Sequence, residues 1–260
     1  MVVSTIGVWC LGPAVSIIGP TSAFYNIAIQ FFLHFQFNGW FLIAVLAVFF
    51  HLLKVEDSKT FRQFYVLLIA STVLTFALPI QWFAPHISLI WLNGIGIIIQ
   101  VVTLYKFLQI LKPRHDLVFE KEYKLVTYMY GFALVCFILK VLFQTVSILP
   151  EFSTAVYNHR NFVIGFIHLL MLGVVSGFLF AFILKSNLLH HSKSLNFGMY
   201  SFFLGLVLTE VLLLIQGIMF YFGTGIISHY YLLLFLFSIL LPLGISVLLF
   251  NIIKHKTYAT

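Results

Sequence analysis

Apolar residues fall into long runs along this chain, separated by short clusters of charged and turn-forming residues. Eight runs stand out, at 2–19, 23–53, 62–81, 87–110, 124–149, 160–185, 197–222 and 229–253. A hydrocarbon core about 30 Å thick needs about 20 apolar residues per helical crossing. The runs are continuously apolar and do not alternate, which predicts helices and not barrel strands. The predicted fold is therefore all-α: a polytopic transmembrane helix bundle of about eight spans, forming one integral membrane domain over 1–260. The first run is the weakest, because Gly12-Pro13 and Gly19-Pro20 interrupt it. Short connections predict that sequential helices are antiparallel neighbours. No internal repeat at a fixed period stands out, nor do paired Gly/Pro-interrupted segments at matching positions in two halves.

Basic residues add an orientation. Lys54, Lys59 and Arg62 follow the second run; Lys106, Lys112, Arg114, Lys121 and Lys124 follow the fourth. Lys185 and Lys193 follow the sixth, and Lys254 and Lys256 the eighth, whereas the intervening loops hold only Arg160. Cytoplasmic loops carry the excess of Lys and Arg. The basic loops and both termini are accordingly expected in the cytoplasm, across a bacterial-type cytoplasmic membrane.

Composition agrees with this reading. The chain is 62% hydrophobic and 8% charged, with mean hydropathy +1.10, more apolar surface than a soluble domain of this size can bury. The net charge of +7 reflects loop residues that set topology, so a lipid bilayer is the expected partner and nucleic acid is not. Cys10 and Cys136 both lie in apolar runs and form neither a disulfide framework nor a metal-spacing motif. The N-terminus lacks a basic leader and a small-residue cleavage site, so no cleaved signal peptide is expected.

The candidate chemistry lies in polar residues within the runs. An imidazole in lipid is costly unless it faces the protein interior with a partner. His34 and His168 both fall in runs predicted to cross inward, about ten and eight residues from the outer end, which at 1.5 Å per residue is about 12–16 Å deep. Gln30, His34 and Asn38 are spaced to share one helix face, with Gly39 next to them. Asn161, Gly165, His168 and Leu172 form a second stripe, beside Gly173. Two neutral imidazoles at one depth in an aromatic setting suit haem iron. Alternatively, each imidazole donates a hydrogen bond across a helix contact. Of the charged residues only Lys140 and Glu210 fall well inside runs; they predict either a buried ion pair or a proton route. Cys136, Lys140 and Gln144 share a face.

The segments His-Phe-Gln-Phe-Asn-Gly-Trp at 34–40 and Arg-Asn-Phe-Val-Ile-Gly-Phe-Ile-His-Leu-Leu-Met-Leu-Gly at 160–173 resemble helices of divergent haem–copper oxidase subunit I proteins, including NnrS-type and nitric-oxide-reductase-like members. Members of that family carry more spans, and this chain resembles about the C-terminal two-thirds of one. The resemblance implies b-type haem with His34 and His168 as axial ligands to the iron. Gln30, Asn38 and Asn161 would then orient an imidazole or a propionate, and Glu210 and Lys140 would form a proton route. No copper site carries over. Position 38 is Asn, no His-x-x-x-Tyr element lies in an intramembrane setting, and His190-His191 falls in a loop. The expected function is electron transfer or the handling of oxygen or nitric oxide, with other respiratory-complex subunits or a missing N-terminal portion as further partners. Two alternatives stand beside it: a cofactor-free transporter or channel with Glu210 and Lys140 lining a pathway, and a non-catalytic subunit or assembly factor.

Overall fold

The computed structural model describes residues 2–119, 124–186 and 192–258, with side chains to residue 253. All regular elements among the described residues are helical. Seven helical stretches are long and apolar enough to cross a membrane: Ala23–Leu52, Lys59–Phe83, Ile87–Val118, Lys124–Val146, Arg160–Lys185, Lys193–Tyr221 and Tyr230–Ile253. The eighth predicted span, the N-terminal one, forms α1 (Val2–Ile17), whose 16 residues are about 24 Å long at 1.5 Å each. It stops short of a full crossing because Gly19, at φ +92°, leaves the helical region just beyond it.

The chain divides into two compact units, Met1–Val118 with Ile138–Tyr157, and Phe119–Phe137 with Asn158–Thr260. In the first unit α1 packs on α2 (Ala23–His34), where Gly7 allows close approach to the Ala28 and Phe32 backbone. The Ser22 hydroxyl caps α2 by accepting from the Tyr25 N–H at 3.2 Å. A seven-residue π-helical segment, π1 (Phe35–Phe41), follows His34 directly and leads into α3 (Leu42–Leu52). Ser58 caps α4 (Lys59–Thr75), which packs along α6 (Ile87–Leu111), where Gly96 lies against Leu74 and Thr75. A break at Phe76 separates α4 from α5 (Ala77–Phe83). Pro79 accounts for this break, since it lacks an N–H and its ring clashes with the carbonyl four residues earlier, that of Thr75. A short α7 (His115–Val118) follows α6. α8 (Lys124–Val146) starts in the second unit and ends in the first, and α9 (Pro150–Asn158) follows.

The second unit contains α10 (Arg160–His168), π2 (Leu169–Val175), α11 (Ser176–Lys185), α12 (Lys193–Tyr221) and α13 (Tyr230–Tyr258). Gly205 of α12 meets Leu240 of α13, and Gly198 faces Gly244, so small residues set this contact.

These elements overturn the expectation that the chain carries no repeat. Element boundaries of the first unit recur 134 residues later: His34 and His168 end α-helices, Phe35–Phe41 and Leu169–Val175 are π-helical, and Lys59 and Lys193 begin the next helix. Side chains match at the same offset: Gly39 and Gly173, Ser58 and Ser192, and Val73-Leu74-Thr75 and Val207-Leu208-Thr209. Ser58 and Ser192 both cap, and Thr75 and Thr209 both bond back to the carbonyl four residues earlier. The repeat is hard to see in the sequence because, outside these positions, the two stretches share little beyond hydrophobic character, which is all that lipid-facing positions require.

Candidate functional site

Both intramembrane histidines sit at the last α-helical position before a π segment. π-helical turns widen the helix by a residue and gather at functional sites. Their surroundings differ. In the first unit the His34 ring is buried, and its Nε2–H donates to the Thr72 carbonyl at 2.8 Å. A carbonyl only accepts, so the proton sits on Nε2 and the lone pair of the neutral ring on Nδ1. The rings of Phe35 and Phe76 lie 5.2 and 5.5 Å from the imidazole.

Thr72 has a spare acceptor because of the break after α4. The Phe76 N–H, which a regular helix would give to Thr72, reaches the Val73 carbonyl instead, at 3.3 Å. The Thr75 hydroxyl contributes only a long contact to Thr72, 3.4 Å. His34 thus completes a helix end that Pro79 opened, and a buried carbonyl left unpaired there would be costly. The bland expectation for a membrane histidine, a hydrogen bond across a helix contact, describes His34.

In the second unit α12 runs unbroken through the matching stretch, with Leu213 where the first copy has Pro79. The Leu206 carbonyl therefore stays in the helical ladder, and the Thr209 hydroxyl adds a bond to it at 2.9 Å. With no free carbonyl opposite, His168 faces Glu210, the counterpart of Phe76. Nδ1 and Oε1 are 3.3 Å apart, close enough for an ion pair yet off the line of a completed hydrogen bond, and both atoms are sealed from solvent. The side chains are nevertheless 35% and 21% exposed. That exposure therefore belongs to other atoms of each side chain, away from their mutual contact. Gly165 leaves room beside the carboxylate, where a Cβ would lie 3.2 Å from Oε2. In π2 the Ser176 hydroxyl caps the Met171 carbonyl at 3.1 Å. Gly173 packs against Cys136, whose sulfur a Cβ there would approach to 2.8 Å.

The remaining predicted residues fall into separate settings. Asn161 lies about two helical turns from His168 and donates from Nδ2 to the Tyr230 hydroxyl at 2.9 Å, joining α10 to α13. Asn38 is buried in π1 with no protein partner for Oδ1, and Gln30 is half-buried on α2. Lys140 is 1% exposed in the first unit, where its charge acts on His34. Glu210 belongs to the second unit and has His168 as its ionic neighbour. His190-His191 lies outside the described residues. Among those described, no three His, Cys, Asp or Glu side chains gather to hold a metal ion. Sequence reasoning missed Thr72, Pro79 and the His168–Glu210 contact. A comparison of the chain with itself at a shift of 134 would have aligned Phe76 with Glu210 and exposed the third. Comparisons with protein-family models, curated proteins and solved structures found no match.

Proposed function

We propose that the second unit binds a b-type haem through His168 Nε2, with Glu210 orienting the ring from Nδ1, as part of an electron-transfer protein or one that handles oxygen or nitric oxide. The observation that carries this reading is a half-exposed imidazole within a membrane span, backed by a carboxylate on its inner nitrogen. An ionisable residue at that depth is a functional candidate by default. Ligating histidines commonly direct their second nitrogen to a carboxylate, which fixes the tautomer and raises basicity.

The residues fit the group. A bare ion would need several protein ligands, whereas a macrocycle brings its own four nitrogens and asks the chain for one or two. The lone pair would sit on the exposed Nε2 while Nδ1–H turns to Glu210. Gly165 leaves the carboxylate uncrowded, and Asn161 fixes α10 to α13 on the same helix as the ligand. Bound haem would supply a one-electron iron couple. The chain's own part is to hold Nε2 outward, keep a compensating carboxylate behind it and exclude water from that contact. The excess of basic loops on one side supports the cytoplasmic placement of those loops and of the C-terminus.

The test is a reduced-minus-oxidised optical spectrum of protein expressed with ample haem. A Soret and α-band change that disappears in His168→Ala is expected. A colourless wild type, or a spectrum unaltered in His168→Ala, overturns the reading. Colour only on co-purification with a haem protein would favour the role of a non-catalytic subunit.

A second reading has its own observation. In the first unit the side-chain oxygens of Asn38, Asn93, Gln100 and Gln144 are buried without a protein partner, and Lys140 is buried in the same unit. Buried water satisfies such groups in other proteins, and a hydrated path would make this unit a cofactor-free conductor. Proton flux into vesicles that falls in Lys140→Met and persists in His168→Ala would support it.

A further inference from the structure

The two copies are alike in backbone and unlike in what meets the histidine, and that contrast carries further than either copy alone. We infer that only the C-terminal copy is a ligand site, that His34 is its locked counterpart, and that positions 76 and 79 against 210 and 213 decide between the two states. The inference rests on the haem reading for what the open copy binds, but not for the lock itself.

In the first copy Pro79 ends α4 early, which turns the Phe76 N–H to Val73 and leaves the Thr72 carbonyl for His34. This bond consumes Nε2. The remaining lone pair, on Nδ1, is one bond from the carbon that carries Cβ and so lies close against its own helix. A flat macrocycle at that nitrogen would meet the backbone of α2 and the flanking rings of Phe35 and Phe76. In the second copy Leu213 keeps α12 regular, no carbonyl is released, and Glu210 stands where Phe76 closed the first site. The carboxylate lies 3.3 Å from Nδ1 instead, so Nε2 is the nitrogen it leaves unengaged. The same π-helical slip thus presents a histidine from each copy. The next helix determines whether that histidine joins packing or meets a ligand.

The experiment separates the two roles with readouts that do not share a cause. Thermal midpoints are measured on haem-free protein in detergent for His34→Ala, Pro79→Ala, the double variant and His168→Ala. Haem per folded chain is measured on haem-loaded protein. His34→Ala strands the Thr72 carbonyl and is expected to lower the midpoint by about 5 °C, with haem content unchanged. In the Pro79→Ala background Phe76 can return to Thr72, so the His34→Ala penalty is expected to shrink by at least about half. His168→Ala is expected to leave the midpoint near wild type and to lower haem content by roughly tenfold or more.

Two haems per wild-type chain, or loss of haem in a folded His34→Ala protein, would overturn the single-site assignment. An equal His34→Ala penalty in both backgrounds would overturn the role of Pro79. A wild type that takes up no haem defeats the underlying reading instead, while the haem-free melting cycle still decides whether His34 is a lock. Nitrogen-15 NMR of histidine-labelled protein gives a further check, since a locked His34 must show its proton on Nε2.

Discussion

Replacing Gly96 by alanine tests the close contact of α6 with α4, the helix that carries Thr72. A Cβ at Gly96 would lie 2.8 Å from the Leu74 Cβ, 2.9 Å from the Thr75 nitrogen and 3.0 Å from the Leu74 carbonyl carbon. Carbon atoms rest at about 3.5–4.0 Å, and two of these three neighbours are backbone that no rotamer change can move. α4 and α6 must therefore part by roughly 1 Å, an overpacking strain of about 1–3 kcal/mol. Gly94, two residues earlier on the same helix, has open space where an alanine methyl would stand, with no neighbour within 4 Å. Gly94→Ala should therefore gain up to about 1 kcal/mol of helix propensity. The two variants should differ by about 1–4 kcal/mol, or about 2–16 °C in midpoint for a chain of this size. Thermal melting followed by the far-ultraviolet helical signal in detergent is the assay. Equal midpoints for the two variants would refute the packing of α4 on α6.

Other outcomes follow from single contacts. Glu210→Gln keeps the shape of the contact and removes its charge, so haem affinity should fall roughly tenfold and the reduction potential should rise, as read by a spectroelectrochemical titration. An unchanged potential would remove Glu210 from the site. In the first turn of α4 the Arg62 guanidinium holds the carboxyl of Asp57, in the preceding loop, below the usual carboxylate range, with Nε donating to Oδ1 at 2.7 Å. A lowered folded value means that the pair contributes above the unfolded value, about 4, and that its contribution is lost as pH falls through the folded value. Both groups are well exposed, so screening keeps the contribution small. Asp57→Asn should therefore lower the neutral midpoint only slightly, and the variant and wild-type curves should converge at the acid end of a melting-versus-pH series.

Much of the fold was readable from the chain because a bilayer imposes a coarse rule. Runs near 20 apolar residues must become helices, and the serines before Ala23 and Lys59 supply the caps that start them. The histidines were also readable, since a polar ring in an apolar run stands out. The backbone slip that follows each of them was not, because Phe35–Phe41 and Leu169–Val175 carry no proline and no shared pattern beyond one glycine. Pro79 was visible in the sequence, but its consequence depends on a carbonyl about two turns back, that of Thr72, facing another helix. Sequence alone set Glu210 beside Lys140, as both are charges inside spans. The structure gives Glu210 an ionic neighbour in His168, a pairing that the 134-residue offset would have suggested through Phe76 and His34.

The most direct measurement of the central proposal is pulsed electron paramagnetic resonance of the ferric protein labelled with nitrogen-15 at histidine alone. A hyperfine coupling from a histidine nitrogen to iron is expected in wild type and in His34→Ala, and is expected to vanish in His168→Ala. A coupling that survives the loss of His168, or an iron signal with no histidine nitrogen in it, would contradict the assignment.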